Sequence, residues 1–170
     1  MQETPRQYTK RILGYQKGKT SIGVLASTPG KLARLLRGVP RTKLLKRPAS
    51  ETWSIAEVLA HLADAELVVA YRFRLMLGDN GTRIQAYDQA EWARCLNYRK
   101  QDPGESLETF RALRTHNIRM LRKLSRKMWG YYGMHSERGK ETVKRLAEMT
   151  AGHDINHVMQ IEERLRRNRR

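Results

Sequence analysis

Cysteine, acidic residues and long apolar runs are all scarce in this chain. Cys95 is the only cysteine among the 170 residues, so an intrachain disulfide is excluded and a reducing compartment is favoured. The most apolar run, residues 67–70, is far too short to cross a bilayer, and residues 1–19 contain no apolar segment typical of a secretory signal. We therefore expect a cytoplasmic protein that does not span a membrane.

Negative charge is scarce as well. The 17 Asp and Glu residues face 34 Lys and Arg residues, which gives a formal net charge of +17. Such an excess favours acidic partners, namely nucleic acid, anionic lipid or an anionic small molecule. The basic residues are scattered along the chain, however, and no zinc-finger spacing, glycine-rich RNA-binding signature or basic leucine-zipper pattern accompanies them. Nucleic-acid binding is therefore an alternative carried by charge alone, beside the simpler interpretation of a solvated basic surface.

The composition and the length indicate one globular domain rich in helix. Hydrophobic residues make up 39% and charged residues 30% of the chain, which favours a folded protein over a disordered one. Thr4-Pro5 and Thr28-Pro29 each combine an N-cap residue with a first-turn proline, and Ser54-Ile-Ala-Glu57 is a capping box. Behind this capping box, apolar residues recur at helical spacing to about Leu77.

Three further segments complete the helical pattern. Residues 85–98 predict a weaker helix, Ser106 is placed to cap a long helix whose apolar stripe continues to Met128, and a last helix runs from about Lys140 to Arg166. No useful length alternates with period two. The expected fold is all-α, a four-helix bundle with additional short N-terminal and connecting helices. We assign residues 1–27 to an N-terminal helical extension and residues 28–170 to the bundle.

Three histidines carry the clearest chemical signal. His153 and His157 are four residues apart, so a helix places both imidazoles on one face, where they interrupt an apolar stripe. His61 takes a similar place on the helix behind Ser54. Burying unpaired imidazoles costs roughly 1–3 kcal/mol each, and one metal ion would satisfy all three. The pattern indicates a metal site with open coordination positions.

Simpler interpretations compete with this one. A single histidine on an apolar face is most often a core residue bonded to a backbone carbonyl, and only the possible convergence of three favours a metal. His116 lies on a very basic helix and is expected at the surface. His135 lies in a glycine-rich loop from which it can reach the rim of a site. Cys95 is interpreted as a small buried side chain.

The two histidine segments resemble the two motifs of the DinB-like superfamily, the family of YfiT-like metal-binding helical bundles. The first segment is Trp53-Ser-Ile-Ala-Glu-Val-Leu-Ala-His61-Leu-Ala-Asp-Ala-Glu66, and the second is His153-Asp-Ile-Asn-His157. The resemblance covers roughly residues 28–163. It implies an up-down-down-up four-helix bundle, often a homodimer. It also implies a divalent ion, typically nickel or zinc, held by His61, His153 and His157 with water in the remaining positions.

The resemblance also implies a range of activities. Members of the superfamily include S-transferases that use a low-molecular-weight thiol such as bacillithiol or mycothiol, a mycothiol-dependent isomerase, and proteins labelled only as hydrolases. We therefore predict a metal-dependent enzyme with a small-molecule substrate, with thiol S-transfer first and hydrolysis by metal-bound water second. The alternatives are a non-enzymatic bundle that binds nucleic acid or another anion, and a metal that only stabilises the fold.

Several polar residues are candidates for supporting roles. Histidines that bind a metal need their second ring nitrogen oriented, and the nearby groups in sequence are Asp64, Glu66, Asp154 and Asn156. Asp64 and Glu66 are equally placed to be solvated partners of nearby arginines. Glu57 is interpreted mainly as part of its capping box. Arg72, Arg74 and the basic residues of 111–127 are placed to meet an anionic cofactor, although the latter stretch reads mainly as a solvent face.

Overall fold

Helices dominate the structure, a computed structural model that describes residues 3–167. The helices are α1 (Pro5–Gln16), α2 (Ser21–Leu36), α3 (Arg41–Leu45), α4 (Ile55–Gly78), α5 (Gln89–Cys95), α6 (Pro103–Leu121) and α7 (Val143–Arg167). Three short strands, β1 (Arg83–Ile84), β2 (Tyr132–His135) and β3 (Gly139–Thr142), form one small sheet. None of the helices in the described residues is long and apolar enough to cross a membrane.

Four helices form the bundle. α4 packs against α6 and α7, and α2 packs against the same two helices from the other side. α1 lies outside this group and packs along α7. The sequence-based prediction of an all-α four-helix bundle with additional short helices is therefore confirmed. α2 continues without interruption across residues 27 and 28, where the sequence suggested the start of the bundle.

Two helix starts follow the predicted capping chemistry. Thr4 and Ser54 each accept a hydrogen bond from the backbone N–H three residues later, and the side chain at that position accepts one from the backbone N–H of the cap residue. Glu57 closes the second box and also forms an ion pair with Arg47. The capping interpretation of Glu57 is thus confirmed, and the start of α4 is fixed seven residues before His61.

The predicted start at Thr28-Pro29 is wrong, because Pro29 lies inside α2. A proline in a helix interior has no N–H for the carbonyl four residues earlier, which here belongs to Leu25. That carbonyl instead accepts a hydrogen bond from Arg114 Nη1, at 3.2 Å. A side chain from α6 thus uses the acceptor that the proline leaves free, which explains how α2 tolerates the residue.

The predicted bounds of the third bundle helix are also wrong. Asp102 caps α6 by accepting the N–H groups of Gly104 and Glu105, and Pro103 occupies the first turn, where its missing N–H has no cost. Ser106 lies inside the helix and donates to the Asp102 carbonyl. α6 ends at Leu121 instead of continuing to Met128.

The small sheet was missed from the sequence. β2 and β3 form an antiparallel hairpin where the sequence predicts a glycine-rich loop and the start of the last helix, and β1 pairs in parallel with β2. α7 therefore begins at Val143 and not at about Lys140. Strands of two to four residues are too short to show alternation. The weaker helix predicted over residues 85–98 is shorter in the structure, where α5 spans only Gln89–Cys95, and strand β1 precedes it.

The core divides into two apolar clusters along the bundle axis. One contains Leu25, Phe73, Met76, Ile84, Ile118, Leu121, Val143, Leu146, Ala147 and Ala151. The other contains Leu32, Ile55, Val58, Leu59, Leu62, Ala63, Phe110, Val158 and Ile161. On α4, α6 and α7 the residues between them are polar and buried, and we call this set, Glu66, Arg114, Asn117 and Asp154, the charge layer.

Candidate metal centre

Three histidine side chains from two helices converge beside the charge layer. His61 Nε2 lies 3.0 Å from His153 Nε2, and His157 Nε2 lies 3.1 Å from the same atom. One ring nitrogen of each residue lies within 4.8 Å of the other two. We call His61, His153 and His157 the histidine cluster. The structure thus brings together all three residues that the sequence singled out.

Local helix geometry explains the convergence. His153 and His157 lie one turn apart on α7, as their spacing predicted, and their ring centroids are 4.3 Å apart. His61 faces them from α4, with its ring 5.1 Å from His153 and 4.9 Å from His157. The Trp53 ring packs 5.2 Å from the His61 ring and covers it on the side of the helix start. The His61 ring therefore has three aromatic neighbours, Trp53, His153 and His157.

Hydrogen bonding among the three rings cannot satisfy the cluster. A ring nitrogen carries either one hydrogen or one lone pair, so His153 Nε2 can form a good hydrogen bond with only one of its two close neighbours. Burial lowers the pKa of His61 to about 3 and of His157 to about 4, and it holds the pKa of His153 well below its usual range. Each neutral ring has one nitrogen with a free lone pair, and one nitrogen of each ring lies within 4.8 Å of the other two, close enough for a shared ligand.

The second ring nitrogens indicate which tautomer is present. His157 Nδ1 lies 3.0 Å from Gln160 Oε1, an acceptor, so the proton lies on Nδ1 and the Nε2 lone pair faces the cluster. His61 Nδ1 is buried and has no hydrogen-bond partner among the described residues. Gln160 was not predicted as a supporting residue, although its place one turn after His157 is the spacing at which helical side chains meet.

The donor set fits a divalent metal ion. Nitrogen ligands lie about 2.0–2.1 Å from zinc, so two of them lie about 3.3 Å apart at a tetrahedral angle and about 3 Å apart at the 90° angle of an octahedral ion. The two short nitrogen distances have this size. The charge layer also contributes, because it combines two carboxylates with one guanidinium and so carries one net negative charge beside the histidines. Both the geometry and the local charge suit a cation.

The carboxylates expected to orient the histidines are engaged elsewhere. Glu66 and Asp154 both form buried ion pairs with Arg114, and Asn117 donates to Glu66 at 2.7 Å. Asp64 accepts a hydrogen bond from the Tyr98 hydroxyl at 2.6 Å. In the described residues none of the three forms a hydrogen bond with a ring of the cluster. Glu66 has the arginine partner that the sequence left open, although the pair is buried instead of solvated.

Asn156 and Arg114 also have surroundings that differ from the predicted ones. Asn156 accepts a hydrogen bond from Arg11 of α1 at 3.0 Å. Arg114, which we had placed on a solvent face, is fully buried, and its partners raise its pKa further, so it stays a cation. The sequence signal was its place four residues after Phe110 and three before Asn117, on the apolar stripe of α6.

A cavity of about 480 Å³ opens beside the histidine cluster. His153 and the charge-layer residues Glu66, Arg114 and Asp154 line one part of it. Arg72 and His135 line it as well, in agreement with the expectation that His135 can reach the rim of the site. Helix α1, the β2–β3 hairpin and residues 86–89 supply further walls.

Other candidates lie outside this site. His116 is exposed on α6, as predicted. Arg74 donates to the Ala70 carbonyl and to Asn117, and it does not line the cavity. Cys95 is exposed and contacts Glu91 and Arg94, so the expectation of a buried cysteine is wrong. The short helix α5 leaves it at the surface because no other element covers that face.

Comparison with known families gives the site its context. A family model described as the DinB superfamily matches residues 25–161. The chain belongs to the DinB superfamily. This confirms the family that the two histidine segments suggested, and the match includes both of them.

Individual relatives have similar names. The chain is 27% identical over 150 residues to a Bacillus subtilis protein named "Putative metal-dependent hydrolase YfiT". This alignment covers 86% of this chain and 83% of that protein. It is 29% identical over 110 residues, 64% of this chain and 63% of the other, to an Oceanobacillus iheyensis protein with the same kind of name. The solved structure of Bacillus subtilis YfiT, described as a probable metal-dependent hydrolase with an unusual four-helix bundle topology, superposes with a TM-score of 0.81 at 24% identity and covers 96% of this chain and 89% of that one. That likeness establishes the fold.

Proposed function

We propose that this protein is a metal-dependent hydrolase in which His61, His153 and His157 bind one divalent ion, nickel or zinc. The observation that carries the proposal is that the Nε2 atoms of His61 and His157 both lie about 3 Å from His153 Nε2, an atom that can form a good hydrogen bond with only one of them. The names of the relatives in Bacillus subtilis and Oceanobacillus iheyensis support the hydrolytic assignment. A divalent ion in such a site supplies a water of lowered pKa and polarises the group to be cleaved.

The side chains around the cluster have separate tasks. Gln160 holds the His157 ring with its free nitrogen toward the centre. Trp53 covers His61 and limits the access of bulk water from that side. Arg114 keeps Glu66 and Asp154 in fixed positions, so that their charge acts on the site without a carboxylate entering it. The cavity receives the substrate beside His153.

Transfer of a thiol group is the second candidate. The same three nitrogens can hold an ion that deprotonates a thiol. The cavity of about 480 Å³ supports this candidate, because it is within the size range that holds drug-sized ligands and leaves room for a thiol and its acceptor. Two assays separate the candidates. Hydrolysis consumes an ester or amide without added thiol, whereas transfer requires both a thiol and an electrophile.

Metal analysis of protein purified without a nickel column tests the proposal. We expect about one equivalent of a divalent ion per chain, or its uptake on titration, and we expect His153→Ala to lose it, because that ring contacts both others. His116→Ala is the matched control, since it removes an exposed histidine. Cys95→Ser controls for metal bound by the exposed thiol. Less than about a tenth of an equivalent, with no uptake, would contradict the proposal.

Two predicted partners stay predictions. A homodimer is expected from the family resemblance, and its measurement is sedimentation or light scattering across protein concentration. Nucleic-acid binding is expected only from the charge of +17. If it occurs, the affinity for a DNA or RNA duplex should fall steeply as salt rises.

A further inference from the structure

The cavity has a second polar end, at Arg72. This residue lies about three turns after His61 on α4, which places both side chains on the same face, about 16 Å apart along the helix axis. Apolar residues of α4 and α7 also line the cavity, among them Leu62, Ala65, Val69, Leu146 and Met149. The cavity is therefore elongated, with an apolar middle, the histidine cluster at one end and a cation at the other.

Arg72 has no carboxylate partner. The residue is 7% exposed, and its Nη2 donates to the Gln85 carbonyl at 2.8 Å. Within residues 3–167 no carboxylate forms an ion pair with it. The Tyr87 ring lies 5.9 Å from its guanidinium carbon, and burial raises the pKa of that phenol to about 12, so it supplies no negative charge. A buried cation without a counter-ion is costly unless a ligand compensates it.

His135 presents an unsatisfied donor to the same part of the cavity. Its Nδ1 accepts the backbone N–H of Glu137 at 3.2 Å, so the proton lies on Nε2. That Nε2 is buried and has no partner among the described residues, and the whole residue is 3% exposed. Burial and the cations Arg138 and Arg72 lower the pKa of His135 to about 4, which keeps the ring neutral. The ring therefore offers one N–H donor near a free cation.

The acidic residues that line the cavity do not fill this role. Glu66 and Asp154 are held by Arg114, and Glu3 is held by Arg11. Asp88 caps α5 and, like Glu137, is exposed to solvent. Arg138, the other cation near His135, is paired with Glu141. Arg72 is thus the cavity-lining cation, within the part of the chain that the structure describes, that lacks an anionic partner.

We propose that this end of the cavity binds an oxyanion, a carboxylate or a phosphate, through the Arg72 guanidinium and the His135 Nε2–H. The ligand is an elongated small molecule whose apolar middle packs between Val69 and Leu146 and whose reacting group lies beside His153. Its reacting end rests on the proposed function, whereas its anionic end rests on Arg72 and His135 alone. This assigns the substrate class of the site: an acid with an apolar chain.

Straight-chain carboxylates test the proposal in metal-free protein, where the histidine cluster cannot attract the anion through a metal. Isothermal titration with butyrate, octanoate and octanamide, in the presence of a chelator, separates the charge from the chain. We expect octanoate to bind at least about tenfold more tightly than butyrate, because its longer chain buries more apolar surface. We expect octanamide to bind about tenfold more weakly than octanoate, because it lacks the charge that Arg72 recognises.

Variants then assign the anionic end to named residues. Arg72→Met and His135→Asn should each weaken octanoate binding, the former by at least about tenfold. Arg74→Met is the matched control, since it removes a cation two residues away on the same helix but outside the cavity, and it should change the affinity by less than about twofold. Arg72→Lys keeps the charge and should restore part of the affinity, and circular dichroism confirms that each variant is folded.

Three outcomes of these titrations would overturn the proposal. Equal binding of octanoate to Arg72→Met and to the unmodified protein would overturn the proposal, as would equal binding of octanamide and octanoate. Absence of saturable binding at about 10 mM octanoate would also overturn it, since a buried charge-assisted site should exceed that affinity. Metal content is measured separately, so failure of the metal site and failure of the anion site give different outcomes.

Discussion

The bundle interior contains two polar clusters that differ in how their groups are satisfied. In the charge layer, both carboxylates and the amide of Asn117 find partners within the chain, and only Arg114 Nε stays without one. In the histidine cluster, three nitrogens approach one another and compete for the same hydrogen bonds. Both clusters interrupt an apolar core, but one is closed by the protein itself and the other needs a ligand from outside. This difference separates a structural polar group from a binding site.

Among single substitutions, removing the cation of the charge layer should have the largest effect. Arg114→Met leaves Glu66 and Asp154 buried without their cation, so we expect the free energy of unfolding to fall by about 3–5 kcal/mol. Urea denaturation followed by circular dichroism measures it. Arg111→Ala, which breaks the exposed pair with Glu108 on the same helix, is the control and should cost less than about 1 kcal/mol. A small effect of Arg114→Met would show that the layer is not a closed unit.

Acid should act through the buried histidines of the metal-free protein. The folded-state pKa values of His61, His157 and His135 are about 3, 4 and 4, below the unfolded value of about 6.5. Between these limits the unfolded state binds more protons than the folded state, so stability is full above about pH 6.5 and is lost as the pH falls toward 4.

The expected loss is on the order of 1–3 kcal/mol for each histidine, measured by urea denaturation at a series of pH values. His135→Gln should remove its share of the pH dependence, whereas the exposed His116→Gln should leave the curve unchanged. A stability that is flat from pH 7 to 4 would contradict the burial of these rings as neutral species.

A divalent ion that binds the histidine cluster should stabilise the folded protein. A divalent ion that binds only the folded state adds about 2.7 kcal/mol of stability at a free concentration one hundred times its Kd. We expect nickel or zinc to raise the melting temperature of the unmodified protein and to leave that of His153→Ala unchanged. The charge-layer variant Arg114→Met should still respond if it folds, because its histidines remain. An equal response in His153→Ala would place the ion elsewhere.

The packing of α1 on α7 beside the site should be disturbed by a single added methyl group. α1 crosses α7 at Gly152, next to His153, where an added Cβ would overlap the backbone carbonyl of Ile12. Gly152→Ala should therefore displace α1 and cost about 1–3 kcal/mol. The measurement is the melting temperature together with the rate of proteolysis within α1. Gly14→Ala is the matched control, because nothing lies within 4 Å of its added Cβ, and it should be neutral or slightly stabilising.

The sequence predicted the features that depend on local spacing along a helix. The capping box at Ser54 and the four-residue spacing of His153 and His157 fix α4 and the site face of α7, and these predictions agree with the structure. The convergence with His61 depended on the packing of two distant helices, which the family resemblance supplied. Arg114 was misplaced because a basic stretch looks like a solvent face unless the partners from α4 and α7 are known.

Other features depended on contacts between distant segments. The start of α6 was assigned to Ser106 although Asp102 and Pro103 together form the stronger start signal. Strand β1 pairs with β2 across about fifty positions, and β2 and β3 are only four residues long each, so a short window of sequence does not reveal the sheet. The sequence placed Arg72 and Arg74 alike as cations that can meet an anionic cofactor. Only the structure separates them, because it shows which of the two lines the cavity and lacks an ion pair in the described part of the chain.

Pro29 and Arg114 illustrate a dependence between distant positions. The proline withholds an amide hydrogen from the Leu25 carbonyl, and the guanidinium of another helix uses that oxygen. A proline inside α2 and a cation in the middle of the bundle thus meet at one oxygen. A carbonyl oxygen has two lone pairs, so replacing the proline would add a second donor without removing Arg114, whereas replacing Arg114 alone would leave that oxygen without either donor.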